Sequence, residues 1–168
     1  MYKEVIKEYK DFPIEGINYI DLNPIYKDPK VRDRLVIDCM QKIVDMKPPY
    51  FDYIGVIESR GFLVGSILAN ELEKGIVLLR SKKDRLPGRT HTVKHKLEYG
   101  ESMVQVQEGS GGVLIFDDIL ATGGTATGSI ECLTKAGYTP IGALFLAELD
   151  FLNPSLSVPY ESVIHYEG

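Results

Sequence analysis

Two adjacent carboxylates, Asp117 and Asp118, follow an apolar run and precede a loop of small and hydroxyl-bearing residues that leads into a helix. The loop residues are Ala121, Thr122, Gly123, Gly124 and Thr125. Backbone N–H groups at a helix N-terminus have no intrahelical acceptor, and the helix dipole favours negative charge there. Glycines allow close backbone approach, and threonine hydroxyls add donors. The segment therefore predicts a cradle for a phosphate group.

The acidic pair separates this cradle from the common nucleotide-binding loops. The sequence has no G-x-x-x-x-G-K-[ST] pattern, and residues 123–128 lack the third-position glycine of G-x-G-x-x-G. Because carboxylates beside a phosphate would repel it, we expect Asp117 and Asp118 to face sugar hydroxyls, a metal ion or a positive charge that develops during a reaction.

Two further segments are suited to an anion. Residues 58–61 (Glu-Ser-Arg-Gly) follow an apolar strand, so either Ser59 caps the next helix or the turn binds a diphosphate through its N–H groups and Arg60, and both can hold. Residues 80–96 contain seven basic side chains and one acidic one, which is usually a solvated surface but here suits a small, highly charged anion.

His91 and His95 are four residues apart. The metalloprotease pattern requires glutamate where Thr92 stands, so we expect two exposed histidines and no zinc site.

The elements that position these residues follow from apolar periodicity. Short apolar strands are predicted at 53–57, 76–79, 112–116, 141–149 and 162–166, and helices at 31–46, 62–73 and 123–136. We expect a short helix within 1–11, an irregular arm over 12–30, a long loop or loose hairpin over 81–100 and a strand at 103–107. Apolar strands alternating with helices predict a mostly parallel sheet that binds ligands beyond the C-terminal ends of its strands.

Composition limits the class of protein. The 168 residues carry a net charge of −5, with 26% charged and 44% hydrophobic residues, which is typical of one globular domain spanning 1–168. The mild acidity argues against nucleic-acid and membrane-surface partners. No apolar stretch approaches the length of a membrane span, and the N-terminus lacks the apolar centre of a signal peptide. Cys39 and Cys132 lie in apolar-periodic segments, so we expect two buried thiols and a cytoplasmic location.

Taken in order, six short motifs resemble the adenine phosphoribosyltransferases, a branch of the type I phosphoribosyltransferases, and the resemblance extends from about residue 11 to the end. The motifs are Asp11-Phe12-Pro13, Gly16-Ile17, Glu58-Ser59-Arg60-Gly61-Phe62, Leu86-Pro87-Gly88, Leu97-Glu98-Tyr99-Gly100 and Ala121-Thr122-Gly123-Gly124-Thr125. The resemblance implies an α/β fold with a mostly parallel central sheet flanked by helices. It also implies a small N-terminal hood at about 11–30, a flexible lid loop at about 81–103 and a homodimer.

The resemblance further implies a purine salvage enzyme that converts adenine and phosphoribosyl diphosphate to AMP and diphosphate with Mg²⁺. Residues 121–125 would hold the 5′-phosphate, and Asp117 and Asp118 would approach the ribose hydroxyls and the forming cation. The same pair would be the candidate protein ligands of Mg²⁺, which is held mainly by the substrate. The implied diphosphate contacts are Ser59, Arg60, Arg80, Lys82 and Arg85.

The lid and the hood would complete the site. By the same resemblance, Glu98 would exchange a proton with the imidazole-ring nitrogen of the base, and Tyr99 would gate the site. The implied base contacts are Asn18, Tyr19, Ile20 and Ile119.

Departures from the family pattern leave two alternatives open. Relatives usually carry phenylalanine at the position of Tyr19, arginine at that of Ile20 and an apolar residue at that of Asn18. Because an asparagine amide both donates and accepts, the base could instead be hypoxanthine, guanine or xanthine. The second alternative is a non-catalytic regulator that senses phosphoribosyl diphosphate, for which we expect a DNA-binding extension or a broad basic face.

Overall fold

The computed structural model describes residues 1–97 and 100–167. In chain order, the elements are α1 (Tyr2–Val5), β1 (Lys7–Lys10), β2 (Asn18–Asp21), α2 (Asn23–Lys27), α3 (Pro29–Met46), β3 (Tyr53–Ile57), α4 (Gly61–Glu71), β4 (Gly75–Leu79), β5 (Thr90–Lys96), β6 (Glu101–Gln107), β7 (Gly111–Leu120), α5 (Gly124–Ala136), β8 (Tyr138–Leu149), a 3₁₀ turn (Asp150–Leu152) and β9 (Tyr160–Tyr166).

The centre of the fold is a five-stranded sheet in the order β4-β3-β7-β8-β9. Every neighbouring pair in it is parallel, which confirms the predicted α/β class. After β3 the chain places β4 on one side, and it later places β7 on the other side of β3. The order therefore reverses between β3 and β7, which is where open α/β sheets bind their ligands.

Alternate residues of the strands point to two separate cores. Leu114 and Phe116 of β7 belong to the cluster that α3 and α4 cover. Val113 and Ile115 belong to the cluster that contains Leu133 of α5. This alternation, with both faces covered, explains why the strands are apolar along nearly their whole length.

The N-terminal region departs from the prediction. The expected helix within 1–11 covers only Tyr2–Val5, because the following residues form β1 and pair antiparallel with β2. The arm predicted as irregular contains β2 and α2. Lys7–Lys10 is fully exposed and shows no apolar alternation, so the sequence contains no signal for a strand there.

The segment predicted as a long loop or loose hairpin contributes β5 to an antiparallel hairpin with β6, in which Thr90 lies opposite Gln107 and Lys96 opposite Glu101. It packs on a face of α5 with small residues at every fourth position: Gly124, Gly128 and Cys132. A Cβ on Gly124 would overlap the carbonyl oxygen of Lys96, and one on Gly128 would lie 2.9 Å from the imidazole of His95. The small face of α5 therefore seats the hairpin.

The prediction of two exposed histidines is wrong for His95. Its Nε2 lies 3.2 Å from the Thr125 hydroxyl, and its ring packs against Gly128, because the hairpin turns this side of β5 toward α5. His91 keeps a partly exposed position 4.0 Å from Glu108.

Both cysteines are free and buried, as predicted. Cys39 belongs to the α3/α4 core and Cys132 to the α5 core, so the sheet separates them. Burial raises the pKa of Cys39 to about 12 and that of Cys132 to about 11. Among the helices of the described residues, none combines the length and the apolar character that crossing a membrane requires.

Candidate active site

A cleft of about 220 Å³ opens at the C-terminal ends of β3 and β7, where the strand order reverses. It brings together most of the site residues predicted from the sequence. Those that line it are Asn18, Tyr19, Ile20, Arg60, Asp117, Asp118, Ile119, Ala121, Thr122, Gly123, Gly124 and Thr125. Hood, acidic pair and phosphate loop therefore face one space.

The acidic pair ends the buried part of β7. Asp118 is only 3% exposed, and its Oδ2 accepts a hydrogen bond from Arg60 Nε at 2.7 Å. Desolvation and the neighbouring Asp118 charge raise the pKa of Asp117 well above its usual range. Burial also raises the pKa of Asp118, although the Arg60 guanidinium opposes this. The two acids are therefore harder to ionise together than two separate exposed carboxylates.

Arg60 also connects the sheet to the hood. Its Nη1 donates to the Tyr19 hydroxyl at 2.6 Å, and its guanidinium lies 5.5 Å from the centre of the Tyr19 ring. Phe12 contacts the same ring edge-on, with 5.1 Å between centroids. The hydroxyl that distinguishes Tyr19 from the usual phenylalanine is thus bonded to an arginine at the end of β3.

The phosphate loop turns sharply into α5. Gly123 has a φ of 89°, which favours glycine, and the first helical bond runs from Thr127 N–H to its carbonyl. No side chain caps this N-terminus. The N–H groups of Gly124, Thr125 and Ala126 precede that first bond, so they suit an anion in the cleft.

The predicted base contacts lie at the hood side of the cleft. Ile20 is 3% exposed and belongs to the α3/α4 core as well as to the cleft wall. The Asn18 side-chain amide donates to Glu8 at 3.0 Å across the β1–β2 pair. One of its two N–H donors is therefore engaged on an exposed face of the hood.

The predicted diphosphate contacts are divided. Arg60 lines the main cleft, but Arg80 lines a second cavity of about 150 Å³, where its guanidinium pairs with Glu58 at 3.1 Å. Ser81 also bonds Glu58, and although burial opposes it, these hydrogen bonds lower the pKa of Glu58. The structure brings neither Ser59, Lys82 nor Arg85 into the lining described for either cavity.

The expectation that Ser59 caps α4 is wrong. Arg60 occupies the N-cap position, and no side-chain cap is formed there. The Glu58–Ser59 peptide bond is cis.

The predicted lid residues Glu98 and Tyr99 lie outside the described residues. Their neighbour Leu97 lines the main cleft, as do Phe145 and Leu149 of β8, which sequence reasoning missed. Phe145 is the register partner of Asp117. The expected pairing of β8 with β7 could have indicated that β8 contributes to the cleft. No feature of the apolar sequence of β8 marks which of its residues reach it. Tyr26, whose hydroxyl lies 3.5 Å from Asp118, was also missed.

The donor set bears on how a metal ion would be held. Mg²⁺ favours octahedral oxygen coordination, and Asp117 and Asp118 offer carboxylates, but the latter is engaged by Arg60. In the part of the chain that the structure describes, one cluster of three side chains could hold a metal ion: Glu148, Asp150 and His165. Asp117 and Asp118 do not belong to it. The cleft thus fits an ion that takes most of its ligands from a bound substrate.

Comparisons with known proteins agree with this geometry. The family described as a phosphoribosyl transferase domain matches residues 26–150. The adenine phosphoribosyltransferase of Prochlorococcus marinus (strain NATL1A) is 42% identical, with 98% of each chain covered. The crystal structure of adenine phosphoribosyltransferase from Thermoanaerobacter pseudethanolicus superposes with a TM-score of 0.88 at 33% identity, over 98% of both chains.

The Saccharomyces cerevisiae adenine phosphoribosyltransferase, solved with adenine and an imino-altritol bisphosphate, gives a TM-score of 0.87 at 32% identity over 96% of both chains. These likenesses extend over nearly the whole chain. The chain therefore belongs to the adenine phosphoribosyltransferase family.

Proposed function

We propose that the chain transfers the 5-phosphoribosyl group of phosphoribosyl diphosphate to adenine and so forms AMP and diphosphate. One observation carries the proposal: the uncapped N-terminus of α5, the acidic pair of β7 and the aromatic hood face a single cleft. The relatives named adenine phosphoribosyltransferase support the choice of base.

The 5′-phosphate lies in the loop 121–125. The free N–H groups of the first turn of α5 and the hydroxyls of Thr122 and Thr125 are its donors. The diphosphate lies toward Arg60 at the end of β3, with Ser59, Arg80, Lys82 and Arg85 as the further contacts that the family resemblance implies.

The base lies between the Tyr19 ring and Ile119, which line the cleft together with Asn18 and Ile20. The aromatic face of Tyr19 suits stacking on a purine. The bond to Glu8 leaves Asn18 one N–H donor and its carbonyl oxygen, so the choice of adenine rests on the named relatives.

The reaction breaks the bond between ribose C1 and the diphosphate oxygen and forms a bond from C1 to the imidazole-ring nitrogen of adenine, which loses its proton. Charge stabilisation of the oxocarbenium-like transition state is the main task of the site. Asp117 and Asp118 lie where that positive charge develops, and the approach of a cation favours ionisation of Asp117. Glu98 takes the proton of the base, and Tyr99 with the hairpin excludes water.

We propose Mg²⁺ as the metal. Bound to the substrate, it would neutralise the leaving diphosphate. Asp117 and Asp118 would hold it chiefly through the ribose hydroxyls and ordered water, since Arg60 already engages Asp118.

We also propose a homodimer in the cytoplasm. Ile76 and Leu78 of the edge strand β4 are 44% and 41% exposed, and a second copy would cover this apolar edge. The two unpaired thiols support a reducing compartment.

Incubation with phosphoribosyl diphosphate, Mg²⁺ and a panel of bases tests the proposal. We expect AMP from adenine and little product from hypoxanthine, guanine or xanthine. Conversion of an oxopurine in place of adenine would reassign the base, and binding of phosphoribosyl diphosphate without turnover of any base would favour the regulator.

A further inference from the structure

The end of the β5–β6 hairpin nearest its turn contacts the phosphate loop through a polar pair. His95, near the end of β5, places its Nε2 3.2 Å from Thr125 Oγ1 in the first turn of α5. The ring is held there because Gly128 leaves no side chain in its way. Thr125 lines both the main cleft and the second cavity, so this pair lies at the boundary between the two spaces.

The other ring nitrogen indicates which way the hydrogen bond runs. His95 Nδ1 is buried, and in the described part of the chain it has no hydrogen-bond partner. A neutral imidazole carries its proton on one nitrogen only. A buried N–H without an acceptor is rarer than a buried acceptor without a donor. The proton therefore belongs on Nε2, where it has a partner.

Burial also lowers the pKa of His95, which agrees with a neutral ring, because the imidazolium would place a second N–H at the unpartnered Nδ1. With the proton on Nε2, His95 donates and Thr125 Oγ1 accepts. The hydroxyl proton of Thr125 is then free to point elsewhere.

This direction matters for an anion in the cleft. The oxygens of a phosphate dianion only accept hydrogen bonds, so Thr125 binds one only if its own proton points toward it. A histidine that accepted a hydrogen bond from Thr125 would compete with the phosphate for the hydroxyl proton. A histidine that donates to Thr125 Oγ1 instead directs the hydroxyl proton away from the imidazole ring.

We propose that His95 is a positioning residue for the phosphate end of the substrate: it donates from Nε2 to Thr125 Oγ1 and so turns the Thr125 hydroxyl proton toward the 5′-phosphate. The inference rests on the proposed function insofar as residues 121–125 hold that phosphate. It adds a residue of the hairpin, three positions before Glu98, to the machinery that binds the opposite end of the nucleotide.

The test compares His95→Leu, which removes the donor, with His95→Gln, whose side-chain N–H reaches a similar position. The matched control is His91→Leu on the same strand, since His91 does not contact Thr125. Ribose 5-phosphate is the probe for the phosphate loop, and inorganic diphosphate is the probe for the other anion site.

We expect His95→Leu to weaken ribose 5-phosphate binding about 5–10-fold, the value of one hydrogen bond between neutral groups. Diphosphate binding and the KM for adenine should change less than about 2-fold, as should every constant in His95→Gln and His91→Leu. In a Thr125→Ala background, His95→Leu should have no further effect on ribose 5-phosphate.

Equal weakening of both anions, or equal losses in the leucine and glutamine variants, would overturn the inference. A nitrogen-15 spectrum of the wild-type imidazole provides a measurement that does not depend on variants: we expect the Nε2–H tautomer, and an Nδ1–H tautomer would refute the mechanism. If the wild type converts no base but binds ribose 5-phosphate in a His95-dependent way, the proposed function fails and this inference stands.

Discussion

Removal of the Arg60 guanidinium should destabilise the protein through Asp118. In Arg60→Met the Asp118 carboxylate, 3% exposed, loses its partner at 2.7 Å, and the Tyr26 hydroxyl at 3.5 Å is too distant to replace it. Breaking a buried ion pair costs about 3–5 kcal/mol. Because the Arg60 side chain is 37% exposed, water screens part of the attraction between the two charges. We therefore expect Arg60→Met to lower the free energy of unfolding by about 2–3 kcal/mol at pH 7.

The cost should depend on pH. Burial already raises the pKa of Asp118, and without Arg60 it rises further. An acid whose folded pKa exceeds its unfolded value loses folding free energy as pH rises above the unfolded pKa. Asp118 can take up a proton instead of staying a buried, unpaired carboxylate. Its destabilising effect therefore cannot exceed about 1.4 kcal/mol for each pH unit above its unfolded pKa of about 3.9. Because the wild type carries part of this cost too, the difference between wild type and Arg60→Met should fall below about 1.5 kcal/mol at pH 5.

Urea denaturation at pH 5, 6 and 7 without Mg²⁺ measures this difference. The control is Arg34→Met, which removes a 3.0 Å pair whose arginine is 59% exposed. Because Asp38 keeps its hydrogen bond from the Tyr2 hydroxyl, this change should cost less than about 0.5 kcal/mol at each pH. Adding Asp118→Asn to Arg60→Met should reduce the pH dependence to the part that Asp117 contributes. A loss independent of pH, or no larger than that of the control, would refute the reasoning.

Three further predictions concern the thiols, two glycines and the lid. Cys39 and Cys132 should not react with a thiol reagent at pH 8 until denaturant unfolds the chain, because burial raises their pKa to about 12 and about 11; rapid reaction of the native protein would contradict this. Gly88→Ala should lower the free energy of unfolding, measured by denaturation, by about 1 kcal/mol. The reason is the φ of 75° at Gly88, since no atom lies within 4 Å of the position that a Cβ would take. Gly137→Ala should cost more, because φ is 103° and a Cβ would also overlap the Gly109 carbonyl, and equal costs would sink this explanation. Glu98→Gln should lower kcat for AMP about 10²-fold or more in steady-state assays, and undiminished turnover would remove Glu98 from proton transfer.

The parallel sheet and the phosphate loop could be predicted because local signals coincide there. The apolar run of β7, the acids at its end and the small residues after it occur in one continuous segment, so spacing alone indicates a strand, an anion site and a helix. The αL conformation of Gly137 after α5 was predictable for the same reason, since the end of the apolar periodicity and the glycine adjoin.

The contacts of the site could not be predicted in this way. Arg60 bonds Asp118 across 58 positions of sequence and Tyr19 across 41, and no periodicity encodes such pairs. Arg80 illustrates the limit: its place in a basic run does not show that its guanidinium pairs with Glu58. Charge counted along a chain does not show which charges are paired in space.

The attachment of the hairpin to the rest of the molecule has a consequence for local opening. In the described residues, one backbone bridge joins the hairpin to the central sheet, with bonds of 2.9 and 2.8 Å between Arg80 and Gln105. Amide hydrogens of β7 and β8, buried between two layers, should exchange with solvent only through global unfolding. Those of β5 and β6 should exchange sooner and together, because the hairpin can leave α5 while the sheet that carries the acidic pair stays intact.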